Sequence, residues 1–392
     1  MIALLIQPEG ITHLFPLLAS ALWVYGGRIC VAFVIIMLAL MRKVRYDRND
    51  VFLFLFLSAS FVLTIIKGES IVPWITIYCN VVLILLLLLI YRDDLPTIID
   101  CAQTYLELLI YINLICLFLY PNGMYYSMEG RYTQNWFLGY KSSFQYYIVP
   151  AMIFGWINYE YRGAKKRFIV LTVVCLIETI LSGNAMLLVS LIILLALIIF
   201  RVQERTSLLN GRNYLVAAFA ENVLMVFFTS ILTSSSIGYA VLTALNKNLS
   251  LSGRASTIWP KAISYVQQHL LLGYGVLSSS KHVEMFGSTV AIHCHNQMLE
   301  ILFTGGVILF TIYMLWHVLV FKHMYDNKSL KTSQILGLGC FIVLIMTSVE
   351  VFSRSPGCGI WLVLILAGRS RDVDRQMKSI DPESVRLIIS AH

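Results

Sequence analysis

The chain has 392 residues, 58% hydrophobic and 13% charged, with a net charge of +8 and a mean hydropathy of +0.78. Soluble domains run to about 45–50% apolar and about 25% charged residues, so this composition describes an integral membrane protein. The positive balance suits anchoring of cytoplasmic loops, and without ribonucleoprotein, zinc-finger or basic-helix signatures nucleic acid is excluded as a partner.

Residues 2–20 are apolar but broken by Gln7-Pro8-Glu9-Gly10 and Pro16, which reads as a kinked helix or a re-entrant piece. There is no basic n-region or small-residue cleavage site, so targeting falls to an uncleaved first span. Apolar spans follow near 21–41, 51–66, 71–91, 103–120, 144–160, 167–182, 185–200, 213–231, 291–320, 335–351 and 357–368. That makes about eleven spans, or twelve with the N-terminal piece. The expected fold is all-α, a polytopic transmembrane helix bundle forming a single integral membrane domain over 1–392. The eight cysteines sit mostly inside apolar runs without paired spacing, so neither a disulfide framework nor a zinc site is expected.

Orientation follows from lysine and arginine. Twenty of the 29 fall on alternate connections, among them Arg42-Lys43, Arg92, Lys165-Lys166-Arg167 and the tail 369–392. Eight fall on the other set, and Arg28 lies within a span. The first set is therefore cytoplasmic, and the long polar stretch 232–290 is an extracytoplasmic loop. The charged tail 369–392 is expected to be cytoplasmic and loosely ordered.

The loop carries most of the chain's polar chemistry. It opens with Ser252-Gly253-Arg254, passes through Trp259 and Gly273-Tyr274-Gly275, and leads to His293-Cys294-His295-Asn296 ahead of Gly305-Gly306. Residues 255–270 read as an amphipathic helix lying along the membrane surface, with Ile258, Ala262, Val266 and Leu270 on one face. Arg254 at its start is placed to grip a phosphate with its planar fork; the alternative is an arginine snorkelling to headgroups. His295, with Asn296 beside it at the mouth of the next span, is placed to act as general base toward a hydroxyl; the alternative is an interfacial histidine bonded to backbone. A metal held by His282, His293 and His295 has no supporting spacing, and none is expected.

Outside the loop, Lys141 in Gly139-Tyr140-Lys141-Ser142-Ser143 is a candidate second phosphate contact. Arg28, costly inside a span, should face a polar cavity. Glu350 and Arg354 are four apart, and mutual pairing on one helical face is the preferred reading. Glu300, one turn past Asn296, is placed to orient His295 or an arginine. The aromatic crowd of Tyr125, Tyr126, Tyr132, Trp136, Tyr140, Tyr146 and Tyr147 reads as an interfacial belt.

Taken together, Ser252-Gly253-Arg254, Trp259, Leu271-Leu272-Gly273-Tyr274-Gly275, His295-Asn296 and Gly305-Gly306 resemble the shared core of the bacterial O-antigen ligase and polysaccharide polymerase superfamily. Gly139-Tyr140-Lys141-Ser142 and Ser182-Gly183-Asn184 resemble two fainter family segments. The resemblance implies a GT-C-type fold in the bacterial cytoplasmic membrane and an extracytoplasmic site. It also implies a glycan donor carried on undecaprenyl diphosphate, used without a metal or other cofactor. Carried over, the family's loop arginine falls on Arg254, its histidine on His295 and its lysine on Lys141. Where relatives often have Lys-Asn this chain has Lys141-Ser142, and where they often carry an arginine after Ser-Gly it has Asn184. Arg28 or Arg131 would then complete a phosphate site to which Asn296, Glu350 and Arg354 also contribute. The expected activity is an inverting glycosyltransferase joining lipid-linked repeat units of a capsule, exopolysaccharide or O-antigen. A repeat-unit flippase and a chain-length regulator are the expected protein partners. A ligase of the same superfamily and a flippase or transporter are the alternatives.

Overall fold

A computed structural model describes residues 1–41, 45–126, 134–202, 212–220, 254–353 and 357–379. The expected all-α polytopic membrane protein is what it shows, with one two-stranded sheet among the described residues. Five helices there are long and apolar enough to cross a membrane, and three shorter apolar helices accompany them.

The N-terminal segment is broken where its prolines stand. α1 (Ile2–Leu5) and α2 (Glu9–Leu14) are separated by Gln7-Pro8. This piece threads into the bundle, because the carbonyls freed by the break find side-chain donors. Asn80 Nδ2 donates to Leu5 O at 3.1 Å, Tyr105 Oη to Ile6 O at 2.9 Å and Tyr147 Oη to Gln7 O at 2.8 Å. α3 joins Pro16–Ala19, a π-helical Ser20–Gly27 and Arg28–Met41 end to end. α4 (Arg48–Ile66), α5 (Val72–Ile90) and α6 (Leu95–Leu119) follow.

A small hairpin comes next. β1 (Asn135–Trp136) pairs antiparallel with β2 (Gly139–Tyr140), Asn135 opposite Tyr140 and Trp136 opposite Gly139. A 3-10 turn, Lys141–Phe144, runs from it into α7 (Gln145–Arg162). α7 is the central helix, buried from Gln145 to Asn158 by its neighbours α6, α8 (Lys165–Ser182) and two helices from the C-terminal part. α9 (Ala185–Ile199) and a helix at 212–220 complete this half among the described residues.

After the polar segment, α10 (Trp259–Gln268) and α11 (Ser279–Phe286) lead to the long α12 (Gln297–Asp326), then α13 (Lys331–Thr347) and α14 (Cys358–Ala367). The element order matches the spans read from the sequence, although the 213–231 span lies partly outside the described residues. The described part of the tail departs from expectation, and 380–392 lies outside the described residues. Ser370–Ser379 is a docked helix, α15, preceded by Arg369, which is buried and paired with Asp50 at 2.6 Å. Arg92 adds Asp372 at 3.0 Å and Asp47 at 2.9 Å, so cross-chain ion pairs order what composition alone marked as loose.

One device shapes the region of interest. α12 is kinked at Gly306 (φ 61°, ψ −162°), which frees carbonyls of the turn before it. The segment after α10 docks there through its main chain, with the Tyr274 ring stacked on Phe303 at 5.0 Å. Tyr274 N–H donates to Phe303 O at 3.0 Å, Gly275 N–H to Thr304 O at 2.8 Å and Val307 N–H to Leu270 O at 2.8 Å. A Cβ on Gly273 would stand 2.6 Å from Gly305 N and Phe303 O, so only glycine admits the approach. Gly273-Tyr274-Gly275 and Gly305-Gly306 are thus the two halves of one joint, not separate turn endings.

Candidate active site

α10 is shorter than expected, starting at Trp259 after a π-helical turn Arg254–Ile258 and ending at Gln268. Ile258, Ala262 and Val266 are buried on its inner face as their spacing implies, whereas Leu270 lies past its end and is exposed. These side chains, with Trp259, Phe286, Ala291, Cys294, Leu299 and Phe303, form a second apolar core separate from that of the bundle. Trp259 Nε1 donates to Cys294 O at 3.0 Å. The helix that carries Arg254 is thereby tied to the strand of chain that carries His295.

His295 adopts φ +50°, a left-handed conformation that costs a non-glycine residue on the order of 1–3 kcal/mol. The surroundings hold it there. Its N–H donates to His293 Nδ1 at 3.0 Å, and its Nε2 lies 2.9 Å from Val290 O. Asn296 follows as the N-cap of α12, accepting from Leu299 N at 2.9 Å, while its Nδ2 donates to Ser348 O at 2.9 Å. Gln297 and Ser353 exchange two further bonds. These links bring the 348–353 loop against the start of α12, and with it Glu350.

Glu350 is the hub. Arg254 Nη2 donates to its Oε1 at 2.7 Å, and its Oε2 lies 3.6 Å from His295 Nδ1. The longer distance is an electrostatic contact, not a hydrogen bond. Burial works against the Glu350 carboxylate, but Arg254 and His295 more than offset it and hold its pKa below the ordinary value. Since a carbonyl only accepts, the Val290 contact assigns the hydrogen of neutral His295 to Nε2. Nδ1, buried and without a hydrogen-bond partner, is then the basic nitrogen beside Glu350.

His295, His293 and Glu350 form one side of a cavity of about 310 Å³, and Tyr140, Ser142, Ser143 and Tyr146 come to it from the hairpin side. Glu9, Thr12 and His13 from α2, with Tyr125 and Asn135, close the rest. Arg254 is not itself in the lining and reaches the wall through Glu350. Its side chain stays 23% exposed, and among the described residues its other guanidinium N–H groups have no partner.

The remaining sequence candidates fall in different places. Lys141 is half-buried in the 3-10 turn and does not line the cavity, although its carbonyl accepts from Asn184 Nδ2 at 2.6 Å. The two fainter family segments therefore touch. Arg28 contacts Gln7 Oε1 at 3.4 Å and is not joined to the Arg254–Glu350–His295 group. Arg131 and Arg354 lie outside the described residues. The premise of a Glu350–Arg354 pair on one helical face fails, because α13 ends at Thr347 and Glu350 sits in the loop beyond it. Asn296 is occupied by capping. Glu300 accepts Cys294 N–H at 2.9 Å and faces His282 at 3.8 Å.

Two other loop cations are spoken for: Lys261 Nζ donates to Phe286 O at 2.6 Å, and Lys281 pairs with Glu69. The aromatics divide: Tyr125, Tyr140 and Tyr146 line the cavity, Trp136 and Tyr147 are buried in the core, Tyr126 is exposed, and Tyr132 lies outside the described residues.

Metal-capable groups divide in a way the sequence did not suggest. His282 sits with Cys294 and Glu300, apart from His293, His295 and Glu350; each set places its ligand atoms within 4.8 Å of one another. In the second set the Arg254 guanidinium already occupies one oxygen of Glu350 and opposes a second cation.

Residues 168–314 match the family model described as O-antigen ligase. The superfamily resemblance holds. The matched segment carries both Arg254 and His295, and leaves Glu350, Glu9 and the 135–143 hairpin outside it. Members of that family are glycosyltransferase-like enzymes. No curated protein matches the chain at a significant level.

Proposed function

We propose that the protein is a polysaccharide polymerase that joins repeat units carried on undecaprenyl diphosphate at the extracytoplasmic face of the bacterial cytoplasmic membrane. The observation that carries this reading is the convergence of Arg254 and His295 on the two oxygens of Glu350 at one cavity wall. The hydroxyl of the acceptor sugar attacks the anomeric carbon of the donor, and the bond from that carbon to the diphosphate oxygen breaks with its electron pair. His295 Nδ1 takes the hydroxyl proton, and Glu350 stabilises the imidazolium that results. The remaining N–H groups of Arg254, unpartnered among the described residues, meet the charge growing on the departing diphosphate, with Lys141, Arg28, Arg131 or Arg354 as further cations for the phosphates. Direct displacement inverts the anomeric centre and uses no metal.

A ligase would run the same chemistry on a different acceptor, and a flippase would move the donor unchanged. Incubating the purified protein with lipid-linked repeat units alone separates the three. A ladder of longer glycans supports the polymerase; no ladder unless a second acceptor is added identifies a ligase. Passage across a vesicle membrane without any change in length identifies a transporter.

A further inference from the structure

Glu9 lines the same cavity as Glu350 and His295, and the chain goes to some length to place it there. Ser143 Oγ donates to its carboxylate at 3.1 and 3.2 Å, and Tyr140 adds a main-chain N–H. Gly139, at φ +99°, lies directly beneath it; a Cβ there would stand 1.8 Å from Glu9 Oε2. Gly10 N–H donates to Phe137 O at 2.9 Å, and a Cβ on Gly10 would stand 2.7 Å from that oxygen. The hairpin of which Gly139-Tyr140-Lys141-Ser142 is part is therefore a cradle for an acid from the N-terminal segment.

Resting on the glycosyl-transfer reading above, we infer that Glu9 is a sugar-binding group that accepts a hydroxyl hydrogen of the acceptor glycan and so selects and positions it opposite His295. The walls around it suit a sugar. Tyr125, Tyr140 and Tyr146 bring aromatic side chains, Ser142 and Thr12 bring hydroxyls, and the volume lies at the small end of the usual 300–1,000 Å³ ligand range.

Protonation then governs the grip. Burial raises the Glu9 pKa to about 7, against the opposing hydrogen bonds from Ser143 and Tyr140. The titratable groups facing it are His13 on its own helix, Tyr125, Tyr146 and Tyr147 beside it, and His293, His295 and Glu350 in the same cavity lining. As an acid with a raised pKa, Glu9 is an anionic acceptor above about 7 and loses that capacity as pH falls through it.

The test uses full-length protein in lipid nanodiscs with lipid-linked repeat units as donor. The acceptor probe is the oligosaccharide released by mild acid from the carrier-linked pool of cells lacking this protein. For Glu9→Gln, the acceptor concentration giving half-maximal transfer should rise about tenfold at pH 8. The donor dependence and the maximal rate should stay within about twofold, and the step in acceptor dependence near pH 7 should vanish. Ser143→Ala removes a bond that favours the ionised form, so the step should move to higher pH. Unchanged acceptor dependence in Glu9→Gln overturns the inference, as does a change confined to the donor. If Glu9→Gln does not fold, an unmoved step in Ser143→Ala overturns it instead. An active wild type with an inactive His295→Ala shows that the underlying reading stands even where this inference fails; a wild type that transfers no glycan to the probe overturns both.

Discussion

Replacing Glu350 by Gln keeps the shape of the side chain and removes its charge. The carboxylate sits 2.7 Å from Arg254 and 3.6 Å from His295 Nδ1 and is 10% exposed on its side chain. Opposite charges about 4 Å apart at an effective dielectric of about 20 attract by roughly 4 kcal/mol. Since about 1.36 kcal/mol is tenfold in rate, and water reaching the cavity weakens the attraction, the imidazolium formed on His295 should lose stabilisation equal to about 10²–10³ in the maximal rate. A second loss falls on Arg254, whose ion pair becomes a hydrogen bond from the guanidinium to an uncharged amide oxygen. The assay is single-turnover transfer between lipid-linked repeat units by purified protein, with melting temperature and elution volume as checks on folding. A folded Glu350→Gln protein that transfers within threefold of wild type would refute the assignment of Glu350 as the group linking the two.

Other consequences can be read separately. Gly273→Ala forces a Cβ to within 2.6 Å of Gly305 N at a φ of +60°, so it should destabilise by more than about 1 kcal/mol and cut transfer sharply, seen as a lower melting temperature. Lys281→Ala removes an ion pair whose lysine is 45% exposed, which should cost under about 1 kcal/mol and leave transfer within twofold. Because the folded pKa of Glu9 is raised to about 7 from 4.5, the folded state binds the extra proton, and its contribution to stability falls as pH rises from about 4.5 to about 7. The melting temperature of Glu9→Gln should therefore gain on wild type across that window, and parallel curves would contradict it.

Arg254 and His295 stood out in the sequence because they sit in a polar island flanked by helix-forming apolar runs, although a snorkelling arginine and a backbone-bonded histidine fitted the same positions. Glu350 was read as the helical partner of Arg354 and a contributor to a phosphate site, not as the group between Arg254 and His295. Its partner stands 96 residues away, and spacing arguments reach a few turns of helix at most. Glu9 was read as part of a break, which it is; that the break seats an acid against the hairpin depends on the close approach of Gly10 and Gly139, which leaves no periodic trace. The glycine pairs announced turns, but their joint is a main-chain contact between segments some 30 residues apart, invisible to side-chain patterning. Spans were legible from composition because a bilayer demands it. The docked Ser370–Ser379 was not, since its order comes from ion pairs with Arg92 and Asp50 neighbours distant in the chain.

The central proposition is that one proton acceptor and one guanidinium, joined by a carboxylate, move a glycan from a diphosphate carrier to a sugar hydroxyl. Counting released polyprenyl diphosphate against new glycosidic bonds, in purified wild type and His295→Ala, tests it most directly. One carrier released per linkage in the wild type, and neither product in a folded His295→Ala, is the expected result. Carrier release and chain growth undiminished in His295→Ala would contradict it.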